Sequence, residues 1–242
     1  MIVKLLNYTP DPERTCAAAA LSSYWYKGAS ETLSTLSEKE IVDILKRVIG
    51  YGHHSVVEHA SFTFSLEGVS RACTHQLVRH RIASYTQQSQ RYVEMEESYI
   101  IPPSVEKKEK AENIFKNQIK SVFESYEKLV ELGIPREDAR FLLPNATKSN
   151  IVVTMNAREL LHFFRLRCCN RSQWEIRKVA WKMLKEVKKI APTIFEKAGP
   201  PCFSGTCPEG DLACNLWKEI KKKENRVDVM MNHFYVKYLK EK

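Results

Sequence analysis

The central stretch of this chain reads Arg79-His80-Arg81-Ile82-Ala83-Ser84-Tyr85-Thr86-Gln87-Gln88-Ser89-Gln90-Arg91. It lies in a longer window, from Gly68 to Val93, that contains no acidic residue. Guanidinium groups bind phosphate and carboxylate oxygens in a forked geometry, while hydroxyl and amide side chains hydrogen-bond neutral polar edges. The stretch therefore predicts a site for an anionic ligand with a hydrogen-bonding base, such as a nucleotide. Composition alone also permits a basic polar loop without a ligand.

The spacing inside this stretch is more specific than its composition. Arg79-His80-Arg81 is followed by seven residues and then by Ser89-Gln90-Arg91. This pattern resembles the signature of the flavin-dependent thymidylate synthases, the ThyX family. The resemblance extends on both sides of the stretch, from about His53 to Ile176.

Upstream, residues 52–59 read Gly-His-His-Ser-Val-Val-Glu-His. A similar segment in the family lies beside the flavin, which makes His53 and Ser55 candidates. Three histidines and a glutamate also suggest a metal, but their order is not a standard zinc arrangement. We expect instead that Ser55 and Glu58 cap a short helix, and we predict no metal site.

Two downstream segments continue the resemblance. Arg140 opens an Arg-x-x-Leu-Pro segment similar to the family's segment that contacts the substrate nucleotide. Asn156, Arg158 and Arg167, followed by Gln-Trp-Glu-Ile at 173–176, match the family's Asn-x-Arg segment and its continuation. By this resemblance Arg167 is the candidate catalytic residue, binding the uracil ring and assisting ionisation at its N3.

The resemblance also implies which other residues bind the ligands. The expected FAD-binding residues are Ser55, Arg79, His80, Arg81, Gln87, Asn156, Arg158 and His162. The expected substrate-binding residues are Gln76, Arg79, Gln87, Gln88, Ser89, Gln90, Arg91, Arg140 and Arg167. Two positions depart from the family's pattern, because Thr86-Gln87 stands where Asn-Glu is common and His162 stands where Asn is common.

The reaction that this resemblance implies is the conversion of dUMP to dTMP. The carbon donor would be 5,10-methylenetetrahydrofolate, reduced FAD would supply hydride, and NADPH would reduce the flavin. The implied architecture is an α+β subunit with a small antiparallel or mixed sheet, assembled as a homotetramer with active sites built from several chains.

Composition sets broader limits on these expectations. The chain has 38 Lys+Arg against 29 Asp+Glu, a formal net charge of +9, which favours anionic partners without identifying one. No apolar run approaches the roughly 20 residues that span a bilayer. The first residues are too short and interrupted for a signal peptide, so we expect a cytoplasmic protein. Seven cysteines without secretory context make a disulfide framework improbable.

Local patterns predict the elements that carry these motifs. Strands are expected at 2–7, 60–66 and 151–155, and helices beginning at Pro12, at Ser37 with Glu40 as its capping partner, and at Ser70. A single long helix is expected from Ser104 to the residue before Gly133. Further caps are expected at Asn156 with Glu159 and at Ser172 with Glu175. The helix after Asn156 carries Arg158, His162 and Arg165 on one stripe, which we expect to be buried around a ligand.

Gly199-Pro200-Pro201 predicts a boundary between a catalytic domain, residues 1–199, and a cysteine- and lysine-rich extension, residues 200–242. Cys202, Cys207 and Cys214 can bind a metal only with a fourth ligand, and they lack a Cys-x-x-Cys pair. A lysine-rich segment at 218–226 is expected to form a solvated helix.

Two other functions remain open at this point. A basic nucleic-acid-binding module would use the arginine-rich window and the lysine-rich tail, but it would normally interleave aromatic residues for stacking. A flavoprotein of the same fold acting on another pyrimidine nucleotide would carry the same motifs.

Overall fold

The computed structural model describes residues 1–214 of the chain. The strands are β1 (Ile2–Tyr8), β2 (Ser61–Ser70), β3 (Ala83–Gln87) and β4 (Lys148–Asn156). The helices are α1 (Pro12–Leu21), α2 (Ala29–Thr35), α3 (Glu38–Gly50), α4 (Arg71–Leu77), α5 (Pro103–Glu106), α6 (Glu109–Glu131), α7 (Arg136–Ala139), α8 (Ala157–Arg167) and α9 (Trp174–Ile190). Short 3-10 turns occupy His54–His59, Arg140–Leu142, Pro201–Phe203 and Gly210–Leu212.

The four strands form one sheet in the order β1-β2-β4-β3. Alternate residues of β2 and β4 are buried, as expected of strands with one apolar face. The predicted α+β class with a small sheet is therefore confirmed. Two details differ from the prediction. Strand β2, expected at 60–66, continues to Ser70, and β3 lies inside the arginine-rich stretch, where no strand was predicted.

The chain divides into two compact units. The first unit holds residues 1–2, 65–79 and 85–152, and the second holds 3–64, 80–84 and the described chain from 153 onward. The division separates Arg79 from His80. The predicted boundary at Gly199 does not coincide with it and stays a prediction.

In the first unit, α6 covers a core of Met95, Ile119, Phe123, Tyr126 and Ala139. The predicted single helix from Ser104 is in fact two helices, because α5 ends at Glu106 and α6 begins at Glu109. Ile119, Phe123 and Tyr126 are the buried residues of α6, and two of them are aromatic.

The second unit is built around α8 and α9. Phe163 and Phe164 of α8 and Trp181 of α9 are fully buried, and Phe164 packs edge-on against Phe195 at 6.0 Å. This core fixes α8, which carries the predicted flavin-binding residues Arg158 and His162 and is capped by a third, Asn156.

Three predicted helix starts are confirmed by their hydrogen bonds. Ser37 and Glu40 form a complete capping box, Ser70 accepts the Cys73 N–H, and Asn156 accepts the Glu159 N–H at 2.9 Å. Each is a contact between residues three apart, so the sequence contains all of the information it needs.

Three predicted capping contacts are wrong. Residues 54–59 form a 3-10 turn with His53 at its start and no side-chain cap, so Ser55 and Glu58 do not cap a helix. Gln173, rather than Ser172, caps α9 by accepting the N–H groups of Glu175 and Ile176. The Glu159 carboxylate does not close a capping box with Asn156 and contacts His80 instead.

Within residues 1–214, no helix is long and apolar enough to cross a membrane. The lysine-rich segment at 218–226, predicted to be helical, lies outside the described residues.

Candidate functional site

The first unit carries every predicted substrate-binding residue except Arg167. Gln76 lies on α4 and Arg79 shortly after it, while Gln87 ends β3 and Arg140 opens the 3-10 turn at 140–142. The remaining ones follow β3 directly: Gln88, Ser89, Gln90 and Arg91.

Gln87 holds β3 in place within this unit. Its Nε2 donates to the Thr74 hydroxyl at 3.0 Å and to the Ser149 hydroxyl at 3.1 Å. The adjacent Gln88 N–H donates to the Asn150 carbonyl at 2.9 Å. Because both hydrogens of the Gln87 amide are used inside the protein, a ligand contact by Gln87 would have to involve its carbonyl oxygen.

Gln90 presents a donor that protein groups do not use. Its side chain is only 8% exposed, yet Nε2 has no hydrogen-bond partner among the described residues. Buried polar atoms are nearly always paired, and an unpaired one in a native fold needs an explanation. A bound ligand with an acceptor oxygen would satisfy it, in agreement with the predicted role of Gln90.

Arg91 is exposed and held by its neighbours. It pairs with Glu137 at 2.6 Å and stacks over the Tyr92 ring at 5.6 Å, while its backbone N–H donates to the Ser89 hydroxyl at 3.1 Å. These contacts fix the Ser89–Arg91 segment and orient the guanidinium group.

Arg71 and Arg140 form a pair of like charges in the same unit. Burial lowers the pKa of Arg71, and the nearby Arg140 guanidinium lowers it further. Two neighbouring cations are mutually repulsive, and an anion bound beside them would relieve the repulsion. Arg71 lies in the acid-free window but was not among the predicted binding residues. The absence of nearby acids was the signal that could have identified it.

In the second unit, a pocket of about 720 Å³ opens beside α8. Its size lies in the range of small-molecule and cofactor sites. Its basic lining side chains are Lys46, His54, Arg158, His162, Arg165 and Lys197. Arg158 and His162 were predicted, whereas Lys46, His54 and Lys197 were missed because they come from distant segments. The basic lining suits a phosphorylated cofactor.

The basic stripe of α8 is not buried, contrary to the prediction. Arg158, His162 and Arg165 are all exposed in the described chain and line the open side of the pocket. The prediction was wrong because it extended the burial of the apolar side of α8 to the whole helix. His53 and Ser55 are also exposed, on the turn that includes the pocket residue His54.

Glu58 forms an ion pair with Arg158, one hundred residues further along the chain. The pair explains why Glu58 makes no cap, since its carboxylate is already bound. It also holds the Arg158 guanidinium beside the pocket.

Three side chains form a connected chain beneath the surface of the second unit. Arg167 Nε donates to His80 Nε2 at 3.0 Å, and His80 Nδ1 lies 3.3 Å from Glu159 Oε1. His80 is 4% exposed and Glu159 6% exposed. Both nitrogens of the His80 ring therefore face protein groups, and His80 contacts the predicted catalytic residue directly.

The charge state of His80 follows from its surroundings. Burial, the positive charge of Arg167 and the neighbouring His162, in decreasing order of effect, together lower its pKa from 6.5 to about 4. His80 is therefore neutral near pH 7. Burial raises the pKa of Glu159, while His162 acts in the opposite direction.

The cysteine-rich segment lies close to the end of α8. Burial, with smaller contributions from Cys214, Cys169 and Cys207, raises the pKa of the Cys202 thiol to about 11. Asn170 Nδ2 donates to Cys214 Sγ at 3.7 Å. Across residues 1–214, no three His, Cys, Asp or Glu side chains are arranged to hold a metal ion.

The first unit offers several arginines and the unused Gln90 donor, and the second offers a basic pocket. These features define a protein suited to binding nucleotide-like anions on an α+β scaffold. Comparison with known proteins identifies the family within this class. The family model described as thymidylate synthase complementing protein matches residues 4–193. The chain belongs to this family, the flavin-dependent thymidylate synthases, and the resemblance seen in the sequence is confirmed.

Relatives at about half identity extend over nearly the whole chain. A flavin-dependent thymidylate synthase of Geobacter sulfurreducens is 51% identical over 225 residues, covering 92% of this chain and 97% of its own. One from Pyrococcus furiosus is 50% identical, covering 93% and 97%. The names of these relatives support a flavin as the cofactor.

Among solved structures, a UMP/dUMP methylase from Streptomyces cacaoi, bound with 5-Br dUMP, has the same fold. Its TM-score is 0.70 at 26% sequence identity, with 81% of this chain and 93% of that chain covered. It is a nucleotide methylase, which agrees with the site chemistry described above.

Proposed function

We propose that this protein is a flavin-dependent thymidylate synthase that methylates dUMP to dTMP. One observation carries the proposal. This member of the family has both an acid-free arginine segment and a separate basic pocket. The first suits a nucleotide phosphate and the second suits a phosphorylated cofactor. The relatives at about half identity bear this function in their names.

The first unit would bind the nucleotide. Arg79, Ser89 and Arg91 supply charge-assisted and neutral donors for a phosphate, and Arg140 beside Arg71 adds a second region of positive charge. The unpaired Nε2 of Gln90 would donate to the ligand. Gln76 and Gln88 complete the predicted set.

The second unit would hold FAD in the basic pocket. Arg158 and His162 are the predicted contacts there, and Lys46, Arg165 and Lys197 add positive charge suited to its pyrophosphate. Asn156, Ser55 and Arg81 stay predicted contacts. When bound, FAD supplies the hydride chemistry, and the protein supplies orientation and electrostatics.

Arg167 would bind the uracil ring and stabilise negative charge as the pyrimidine ionises at N3. A preorganised cation opposite a developing charge lowers a barrier by several kcal/mol, on the order of 2–4. Its Nε is already fixed on His80, which limits the directions that its guanidinium plane can adopt.

The finer parts of the function are also part of this proposal. The carbon donor is 5,10-methylenetetrahydrofolate, the reductant is NADPH, and the protein assembles as a homotetramer in the cytoplasm. The family resemblance supports these assignments, and the positive net charge is compatible with the anionic co-substrates.

A second candidate is methylation of UMP. The solved relative from Streptomyces cacaoi is described as acting on both UMP and dUMP. The two substrates differ by one 2′-hydroxyl, so parallel assays with dUMP and UMP distinguish the two functions. A kcat/KM at least about tenfold higher for dUMP, or about 1.4 kcal/mol, would favour the synthase.

The first experiment is the visible absorption spectrum of the purified protein, with and without added FAD and dUMP. We expect flavin absorption that shifts when dUMP is added, followed by turnover to dTMP with folate and NADPH. A colourless protein that binds no added FAD would contradict the proposal. Salt-sensitive DNA or RNA binding by such a protein would favour the nucleic-acid alternative.

A further inference from the structure

The buried carboxylate of Glu159 does not cap the helix that carries it. The Asn156 side chain caps α8 by accepting the Glu159 backbone N–H, yet the Glu159 side chain does not return the contact. Burying a carboxylate is unfavourable unless it is hydrogen-bonded to a specific partner. The contact that the structure gives it is His80 Nδ1, at 3.3 Å.

The hydrogen bonds fix the tautomer of His80. Arginine has donors and no acceptor, so His80 Nε2 must accept the Arg167 Nε–H. A neutral imidazole with an accepting Nε2 carries its proton on Nδ1. That proton faces Glu159 Oε1, which accepts it. Glu159 is therefore the group that selects the tautomer Arg167 requires.

The packing around His80 holds its ring at this angle. Phe163 meets the ring edge-on at 4.9 Å between centroids, and His162 lies at 5.8 Å. Glu159, Phe163 and Arg167 lie four residues apart on one stripe of α8, so a single helix presents all three to His80. The arrangement fixes one of the guanidinium's five N–H donors and thereby its plane.

We propose that Glu159 is a positioning residue for the reaction, acting through His80 to hold the Arg167 guanidinium in its working orientation. This inference rests on the proposed function, because Arg167 is the residue assigned to the uracil ring. Glu159 itself contacts neither substrate nor cofactor in the proposal. This positioning role explains why His80 is buried between Glu159 and Arg167, whereas its neighbours Arg79 and Arg81 are exposed.

The test is a double-mutant cycle with Glu159→Gln and Arg167→Lys. Gln has nearly the shape of Glu, but it can accept or donate and so no longer selects one tautomer. We expect Glu159→Gln to lower kcat about 10- to 100-fold, because small misplacements of a catalytic group have effects of this size. We expect KM for dUMP to change less than about threefold.

The two single effects should not add. If Glu159 acts through Arg167, Glu159→Gln should have little further effect in an Arg167→Lys background. Independent, additive losses would overturn the proposal and indicate a general structural role. Glu159→Asp, which keeps the carboxylate, should recover part of the activity. Glu186→Gln, at a half-buried position of α9 where the carboxylate pairs with Lys189, serves as the control and should behave as the wild type.

A second readout does not depend on activity. The ring ¹⁵N shifts of His80, assigned with His80→Gln, should show a protonated Nδ1 and an unprotonated Nε2 in the wild-type protein. They should show a mixture in Glu159→Ala. The opposite tautomer in the wild type would refute the inference. Wild-type protein without turnover would instead contradict the proposed function, so the two failures are distinguishable.

Discussion

At the scale of single residues, His80 is the clearest case of a side chain whose chemistry is set by its surroundings. Its sequence motif predicts a cofactor contact, but the structure buries it between Arg167 and Glu159. Glu159 lies 79 residues away in sequence, so no local pattern could have indicated the pairing. The prediction that His80, Arg79 and Arg81 contact FAD stays a prediction.

The lowered pKa of His80 predicts how stability changes with pH. The unfolded chain binds a proton near pH 6.5, whereas folded His80 resists protonation until about pH 4. Between these values the unfolded state binds more protons, so acidification removes stability, up to about 3 kcal/mol from this group. Glu159, with a raised pKa, acts with the opposite sign over part of this window.

The measurement is the unfolding midpoint of wild type and His80→Gln at a series of pH values from 7 down to about 4. The variant should lose less stability on acidification than the wild type. His75→Gln, at an exposed position on α4, is the control and should keep the wild-type slope. Parallel curves for wild type and His80→Gln would show that His80 does not carry this dependence.

At the scale of elements, contacts between residues three apart were predicted from the local sequence with mixed success. The caps at Ser37, Ser70 and Asn156 are of this kind and were all correctly predicted. The wrong cap at Ser55 has a distant cause, since Glu58 pairs with Arg158 across one hundred residues. Strand β3 was missed because its residues are mostly polar and show no apolar alternation.

The second prediction concerns Gln87, whose side chain hydrogen-bonds β3 to Thr74 and Ser149. Gln87→Ala removes the donor shared by the hydroxyls of Thr74 and Ser149, both of which are buried. Losing the donor to buried hydroxyl groups typically reduces the free energy of unfolding by about 1–3 kcal/mol. Thr86→Ala, at the adjacent exposed position of β3, should change it by less than about 0.5 kcal/mol. Urea unfolding curves of both variants test this, and equal effects would contradict it.

The turn after α9 depends on a glycine. Gly199 has φ of +144°, and an added Cβ would lie 2.8 Å from the Phe203 ring. We therefore expect Gly199→Ala to destabilise the fold by about 1–3 kcal/mol, from backbone strain and displacement of the ring. Gly205→Ala, where no atom lies within 4 Å of the added Cβ, should change stability by less than about 1 kcal/mol. Thermal unfolding compares the two, and similar midpoints would refute the argument.

At the scale of the whole molecule, the predicted ligand sets largely separate between the two compact units. All substrate-binding candidates except Arg167 fall in the first unit, and most flavin-binding candidates fall in the second. The sequence located the members of each set by motif, but the basic pocket could not be predicted. Its additional residues, Lys46 and Lys197, come from α3 and from the segment after α9, and only folding brings them to α8.

The seven cysteines provide a test of the whole fold, since they are distributed over it with different burial. Cys16 and Cys168 are buried, and burial raises the pKa of both thiols, to about 12 for Cys16. Alkylation requires an accessible thiolate, so both should react only after unfolding. Cys207 and Cys214 are partly exposed and should react in the native protein.

The measurement is the alkylation of each cysteine by iodoacetamide over time, followed by peptide mass spectrometry in native and urea-unfolded protein. Equal rates for Cys16 and Cys207 in the native protein would contradict the described packing. Protection of Cys207 and Cys214 that disappears with a chelator would point to a bound metal, and protection removed by a reductant would point to a disulfide. Either result would contradict the prediction for these two thiols, because accessible free thiols should react without such treatment.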